Sequence, residues 1–232
     1  FAYTGGGSMI KDLTVDASCT LTAKYADEVE FYGPFVGYHR GSLQGCTNNA
    51  NITVSGEWTK GVRVGGLVGR VVIGNIKECT NNGKITLDDT VVSTSESVCA
   101  AGITGYISND DGYIEKCTNN AAISVEGTAT AMDCFIGGIV GACNGSIYDC
   151  TNTVKGSITS LIAAKTNYVG GICGSSNQNS MILRNTNRGQ INCHVNATRD
   201  GDDNGRLSYI GGITSCGRGE VSDNANYGSI YS

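Results

Sequence analysis

The sequence predicts an all-β fold, a parallel β-helix or β-solenoid of six to seven coils, each about 33–39 residues long with about three short strands. Three recurring phrases predict it. The first is Cys-Thr-Asn at Cys46, Cys79, Cys117 and Cys150, spaced 33, 38 and 33 residues apart and preceded three positions earlier by Leu43, Ile76, Ile114 and Ile147. It continues without the cysteine as Asn185-Thr186-Asn187 after Ile182 and Asn224-Ala225-Asn226 after Val221. The second phrase is Gly-Gly-Ile/Leu-x-Gly, as in Gly65-Gly66-Leu67-Val68-Gly69, Gly137-Gly138-Ile139-Val140-Gly141 and Gly170-Gly171-Ile172-Cys173-Gly174. The third is a short β-branched run such as Ile52-Thr53-Val54, Ile85-Thr86-Leu87 or Ile123-Ser124-Val125.

Each phrase has a structural role. Three brief strands cannot bury an apolar face alone, but coils stacked about 4.8 Å apart give each strand a partner above and below. Leu43, Ile76, Ile114, Ile147, Ile182 and Val221 then form one interior ladder, and the Ile of the third phrase a second. The repeated cysteines form a third. Ile and Cys are three apart while strand side chains alternate with period two, so a bend must separate them if both point inward. The bend carries Glu78, Lys116, Asp149, Arg184 and Asp223 in successive coils, an alternation of charge that serves register more than stability. The recurring Asn48, Asn81, Asn119, Asn152, Asn187 and Asn226 read as turn residues, because Asn tolerates left-handed backbone and bonds to nearby main chain. The paired glycines mark sharp bends or close backbone approach. They lack the Lys-Ser/Thr of a phosphate-binding loop and the strand-to-helix setting of a dinucleotide fingerprint.

The repeat runs nearly throughout, so residues 1–232 are expected to be a single solenoid domain. The chain starts at Phe1 without an initiator Met or signal peptide and ends inside a third-phrase strand, so it is expected to be a piece of a larger or processed protein flanked by other domains. A net charge of −5, with no basic patch interleaved with aromatics, argues against nucleic acid as a partner. No apolar run is long enough to span a membrane as a helix.

The 11 cysteines lack the close pairs of a zinc site. A disulfide framework is the alternative, since neighbouring coils fall within the Cα separation a disulfide tolerates. The odd count, and the Asn or Leu found at equivalent positions, favour buried thiols that behave as small hydrophobes. His39 and His194 are the two histidines, and neither adjoins a cysteine in a nucleophile motif.

Candidate functional residues lie where the repeat varies. Insertions at one point of each coil collect on one edge of a solenoid, often the binding edge. This edge is acidic, with Asp88, Asp89, Glu96, Glu126, Asp133, Asp200, Asp202 and Asp203, and it holds Trp58, the single tryptophan. Trp58 either stacks on a sugar or covers the solenoid side. Asp200-Gly201-Asp202-Asp203-Asn204-Gly205 matches the first half of an EF-hand-type loop, which makes Asp200, Asp202 and Asn204 candidate calcium ligands. Position twelve is Gly211 instead of Glu, so a solvated acidic turn is the plainer reading. Tyr38, Arg70 and Tyr106 each follow the last Gly of the second phrase, and they either present a ligand-binding strip or pack by cation–π contact across coils.

On these phrases the chain resembles the GLUG-type repeats of bacterial surface and secreted proteins, most clearly at residues 65–69 with 76–81 and 137–141 with 147–152. The resemblance implies a non-enzymatic, adhesin-like module at the cell surface or secreted, with glycan, matrix or another surface protein as partner. The alternative is a carbohydrate-active enzyme, a polysaccharide lyase or glycoside hydrolase on a right-handed β-helix, which rests on fold analogy alone.

Overall fold

The computed structural model describes residues 1–26, 30–58, 60–194 and 207–232. Among them there is no helix, and every strand pair is parallel. Three sheets of 11, 7 and 14 strands run along the molecule, here called the front, corner and back sheets. The corner sheet has one two-residue strand per coil, from Thr14–Val15 to Ala225–Asn226, so its seven strands mark six complete turns. The predicted solenoid is therefore observed. Its front and back faces are each bent into more than one strand per coil, as in Val98–Ala101 with Ile85–Leu87 on the back.

The predicted ladders are in register. Ile10, Leu43, Ile76, Ile114, Ile147, Ile182 and Val221 align up the front sheet. Leu21, Ile52, Ile85, Ile123, Ile158, Ile191 and Ile230 align up the back sheet. The interior, however, is divided into two apolar clusters. One contains the front ladder with Cys46, Cys79, Cys117 and Cys150; the other contains the back ladder with Trp58, Val64, Ala100 and Ile136. Each face bends around its own cluster, so the cross-section has two lobes and a waist.

The asparagines build the waist. Asn48, Asn81, Asn119, Asn152 and Asn187 are fully buried, and each Nδ2 donates to the Oδ1 of the next Asn up the stack at 2.8–3.0 Å. The same amide closes a local loop: in one coil, Asn48 Nδ2 donates to Ala50 O and Asn48 Oδ1 accepts from Ala50 N. The second glycine of each Gly-Gly phrase lies against this ladder. A Cβ on Gly138 would sit 2.6 Å from Asn152 Cγ, so only glycine lets the return crossing pass.

The left-handed backbone is one residue before the cysteine, not at the asparagine. Asp12, Gly45, Glu78, Lys116, Asp149, Arg184 and Asp223 have φ between 53° and 63°, while the asparagines lie in strands. This corrects the turn assignment while confirming the bend between Ile and Cys. A non-glycine residue in that region costs about 1–2 kcal/mol, and the bend recurs because it points Ile and Cys inward together. Charge pairing along the bend is sparse. Arg184 donates to both Asp149 oxygens at 2.8 and 2.9 Å, whereas Lys116 turns to Glu115 of its own coil at 3.5 Å.

The cysteine position proves polar as well as apolar. Cys79 Sγ accepts from Cys46 N at 3.3 Å and Cys150 Sγ from Cys117 N at 3.4 Å. Where the thiol is replaced, Asn185 Oδ1 accepts from Cys150 N at 2.8 Å. An acceptor for the preceding coil's N–H is what Cys and Asn share. All 11 cysteines are unpaired thiols in this structure. Burial drives the Cys117 thiol well above its ordinary range, so it stays neutral.

Candidate functional site

Two further ladders run side by side on the outside of the waist. On the front sheet the residue after the last position of each phrase, Gly in five copies and Ser215 in the sixth, aligns as Tyr38, Arg70, Tyr106, Ala142, Ser175 and Cys216. On the back sheet the aligned positions are Phe31, Arg63, Cys99, Phe135, Tyr168 and Tyr209. They adjoin because the last Gly brings the two backbones together. A Cβ on Gly69 would lie 2.6 Å from the Phe31 carbonyl carbon.

In the first three coils this outer corner is filled. The Arg70 guanidinium carbon lies 5.4 Å from the Tyr38 ring centroid, 5.5 Å from Tyr106 and 5.4 Å from Phe31. Arg63 lies 6.0 Å from Phe31 and 5.9 Å from Tyr106. Tyr3 stacks on Tyr38 at 5.3 Å, and Arg70 Nε donates to Ser108 Oγ at 3.0 Å. The predicted trio is thus brought together, by the cation–π packing that was one of its two readings.

Further along, the front ladder shrinks to Ala142, Ser175 and Cys216, while the back ladder continues as a ring stack. Phe135 and Tyr168 are 5.0 Å apart at 13°, Tyr168 and Tyr209 5.3 Å apart at 18°. The space left open is a groove of about 390 Å³, lined by Phe135, Tyr168 and Tyr106, by Arg63, Asp133 and Arg218, and by the short Ala142 and Ser175. At its filled end Cys99 holds the ladder position between Arg63 and Phe135.

The electrostatics of the groove are balanced. Arg63, its side chain 12% exposed, is paired with Glu96 at 3.1 Å, which leaves Asp133 and Arg218 as the other charges among the described lining residues. Burial, and then Asp133, raise the Tyr168 hydroxyl above its ordinary range, so it is a neutral donor and acceptor. Burial pushes the Cys99 thiol up to about 11, so it is no thiolate nucleophile at neutral pH. Asn144 Nδ2 donates to Tyr106 Oη at 3.2 Å.

Trp58 requires a correction. The strand Asn51–Trp58 carries it into the back cluster, where it is 0% exposed and edge-on to Tyr32 at 5.7 Å. Its ring face is not available to a sugar at the surface. Three of the acidic residues of the variable segments have individual roles. Asp88 closes a turn by accepting from Thr90 N, Glu96 holds Arg63, and Asp133 lines the groove. Asp200, Asp202 and Asn204 lie outside the described residues. Among the described residues no group of three or more His, Cys, Asp or Glu gathers for a metal. Sequence reasoning missed Arg63, Phe135 and Tyr168, although Phe135, Tyr168 and Tyr209 each stand two positions before a Gly-Gly pair.

Residues 61–86 match the model of the GLUG motif. The match begins at the approach to one Gly-Gly phrase and runs through Ile76, Cys79 and Asn81 to the third-phrase strand, which is most of one coil. Comparison with the curated proteins gives no match, and comparison with the solved structures gives none. The chain is therefore a parallel β-solenoid that carries a GLUG motif at residues 61–86, with the equivalent positions of the neighbouring coils in register with it.

Proposed function

We propose that the chain is a non-enzymatic, adhesin-like repeat module, displayed on the cell surface or secreted, that binds a glycan, matrix or protein partner through the outer groove. The observation that carries the reading is the groove itself. It is concave, about 390 Å³ in volume, and combines an aromatic wall with a few placed polar groups, the usual make-up of a binding site. It lies on a scaffold whose strands are held from both sides, so its geometry is preorganised.

The chemistry of the lining favours binding over turnover. Glycoside hydrolysis calls for two carboxylates flanking the bond. Asp133 is the carboxylate among the described lining residues, and nearby Glu96 is tied to Arg63. Calcium at Asp200, Asp202 and Asn204 remains part of the proposal as an accessory ligand of the same module.

The test is to incubate the purified chain with arrayed glycans and matrix proteins, with calcium and with a chelator, and to analyse the bound material. Retention of unchanged ligand is expected. Shortened or unsaturated oligosaccharides would overturn the reading, and equal binding in chelator would remove calcium from it.

A further inference from the structure

Resting on that reading, we infer that the groove takes a neutral, linear glycan, with one sugar ring seated against Phe135 on its Cys99 side and the chain running along the solenoid axis past Ala142 and Ser175. Three observations lead there.

The first is a gap in the back ladder. Arg63 and Phe135 are two coils apart, roughly 9.6 Å at the usual strand spacing, and the position between them holds the small side chain of Cys99. Phe135 has a ring partner in Tyr168, and no aromatic or guanidinium contact on its other side among the described residues. A pyranose has an apolar C–H face that packs on the negative face of an aromatic ring. Its rim of hydroxyls needs donors and acceptors, and Tyr168, Asp133, Asn144 and Ser175 supply both around the groove.

The second is charge. Arg63 is neutralised by Glu96, and Arg218 is offset within the lining by Asp133. Among the described lining residues no surplus cation remains to hold a polyanion, and the chain as a whole carries −5. A neutral polymer avoids both costs.

The third is the backbone of the walls. An extended peptide that binds by strand addition needs a free strand edge. The walls are sheet faces, whose strands pair with the coils on either side, as Val140–Cys143 does with Thr104–Ile107 and Cys173–Ser176. A ligand here meets side chains, which suits a sugar chain better than a peptide strand.

The filled half of the corner provides the decisive variant. Tyr106 shows that a tyrosine fits the front-ladder position that Ala142 occupies one coil later. Ala142→Tyr should therefore fold normally and occupy the groove. Isothermal titration would use neutral gluco-, manno- and xylo-oligosaccharides, a galacturonate oligomer with its carboxyl-reduced form, and a mixed peptide pool. At least one neutral series is expected to bind, with affinity falling about tenfold or more in Ala142→Tyr and in Phe135→Ala. Lys155→Ala, on an exposed turn away from the groove, should leave affinity unchanged. Unaltered melting temperatures would exclude misfolding as the cause.

Neutral binding unaffected by both groove variants would overturn this site and leave the module reading intact. Tighter binding of galacturonate than of its reduced form would overturn the neutral ligand, as would peptides that bind in the groove while glycans do not. Failure of every glycan and protein tried would sink the module reading together with this one.

Discussion

The outer corner of the first three coils and that of the next three stand on the same scaffold and differ in what fills them. In the first, Tyr38, Arg70 and Tyr106 interleave with Phe31 and Arg63. In the second, Ala142, Ser175 and Cys216 leave the Phe135, Tyr168 and Tyr209 stack with open space beside it. Beneath both runs one unbroken asparagine ladder with the same donors and acceptors. Register and surface chemistry are therefore set by separate positions of the coil. The ladder residues hold the turns in place, and the residue after the phrase is free to be Tyr, Arg, Ala, Ser or Cys.

Loss of the shared ladder should affect both halves alike. Asn81→Ala, under the filled corner, and Asn152→Ala, under the open one, each strand buried donors and acceptors in three coils. Both should cost about 3 kcal/mol in urea titrations. Clearly unequal losses would mean that the scaffold is not equivalent in the two halves.

A smaller effect should separate the halves. Arg70→Ala removes three ring contacts and the Ser108 hydrogen bond, for a loss of about 2 kcal/mol. Ser175→Ala, in the open half, should change stability by less than about 0.5 kcal/mol. Equal losses would show that the filled corner is not a packed structure.

The smallest expected effect is a pH dependence confined to the filled half. His39 is fully buried, with its Nδ1 2.8 Å from Thr4 Oγ1, and burial lowers its pKa from the ordinary 6.5. The unfolded chain therefore binds a proton that the folded chain resists. The contribution is complete above pH 6.5 and is lost as pH falls through that value toward the folded pKa. Melting temperature should drop between about pH 7 and pH 5, and His39→Leu should flatten that slope. An unchanged slope would assign the acid sensitivity elsewhere.

Much of the fold was legible because its signals are positive and periodic. The Ile ladders, the bend before Cys46, Cys79, Cys117 and Cys150, and the strand phrases all follow from side chains that must point inward at a fixed spacing. The exchange of roles between Asn and its neighbours was not legible. Asn is, after glycine, the residue most tolerant of left-handed backbone, yet here its amide is worth more in a buried ladder, which keeps it extended and passes the left-handed bend to charged residues such as Lys116. Trp58 misled because a variable segment was read as an exposed loop, whereas it pairs as back-sheet strand with Ser93 and drives the ring inward. The groove was hardest to foresee. It is created by missing bulk at Ala142, Ser175 and Cys99, and an absence leaves no motif.

The stacking has a consequence for inheritance. Strand pairing joins each coil to the coils before and after it, and the left-handed bend recurs with the same geometry at Glu78 and Lys116. Excising residues 79–116 would join equivalent backbone points and preserve every remaining ladder. It would also set Phe135 against Arg63 and erase the position of Cys99. Recombination between coils could thus add, move or remove a binding notch in a single genetic event, without the fold having to be invented again.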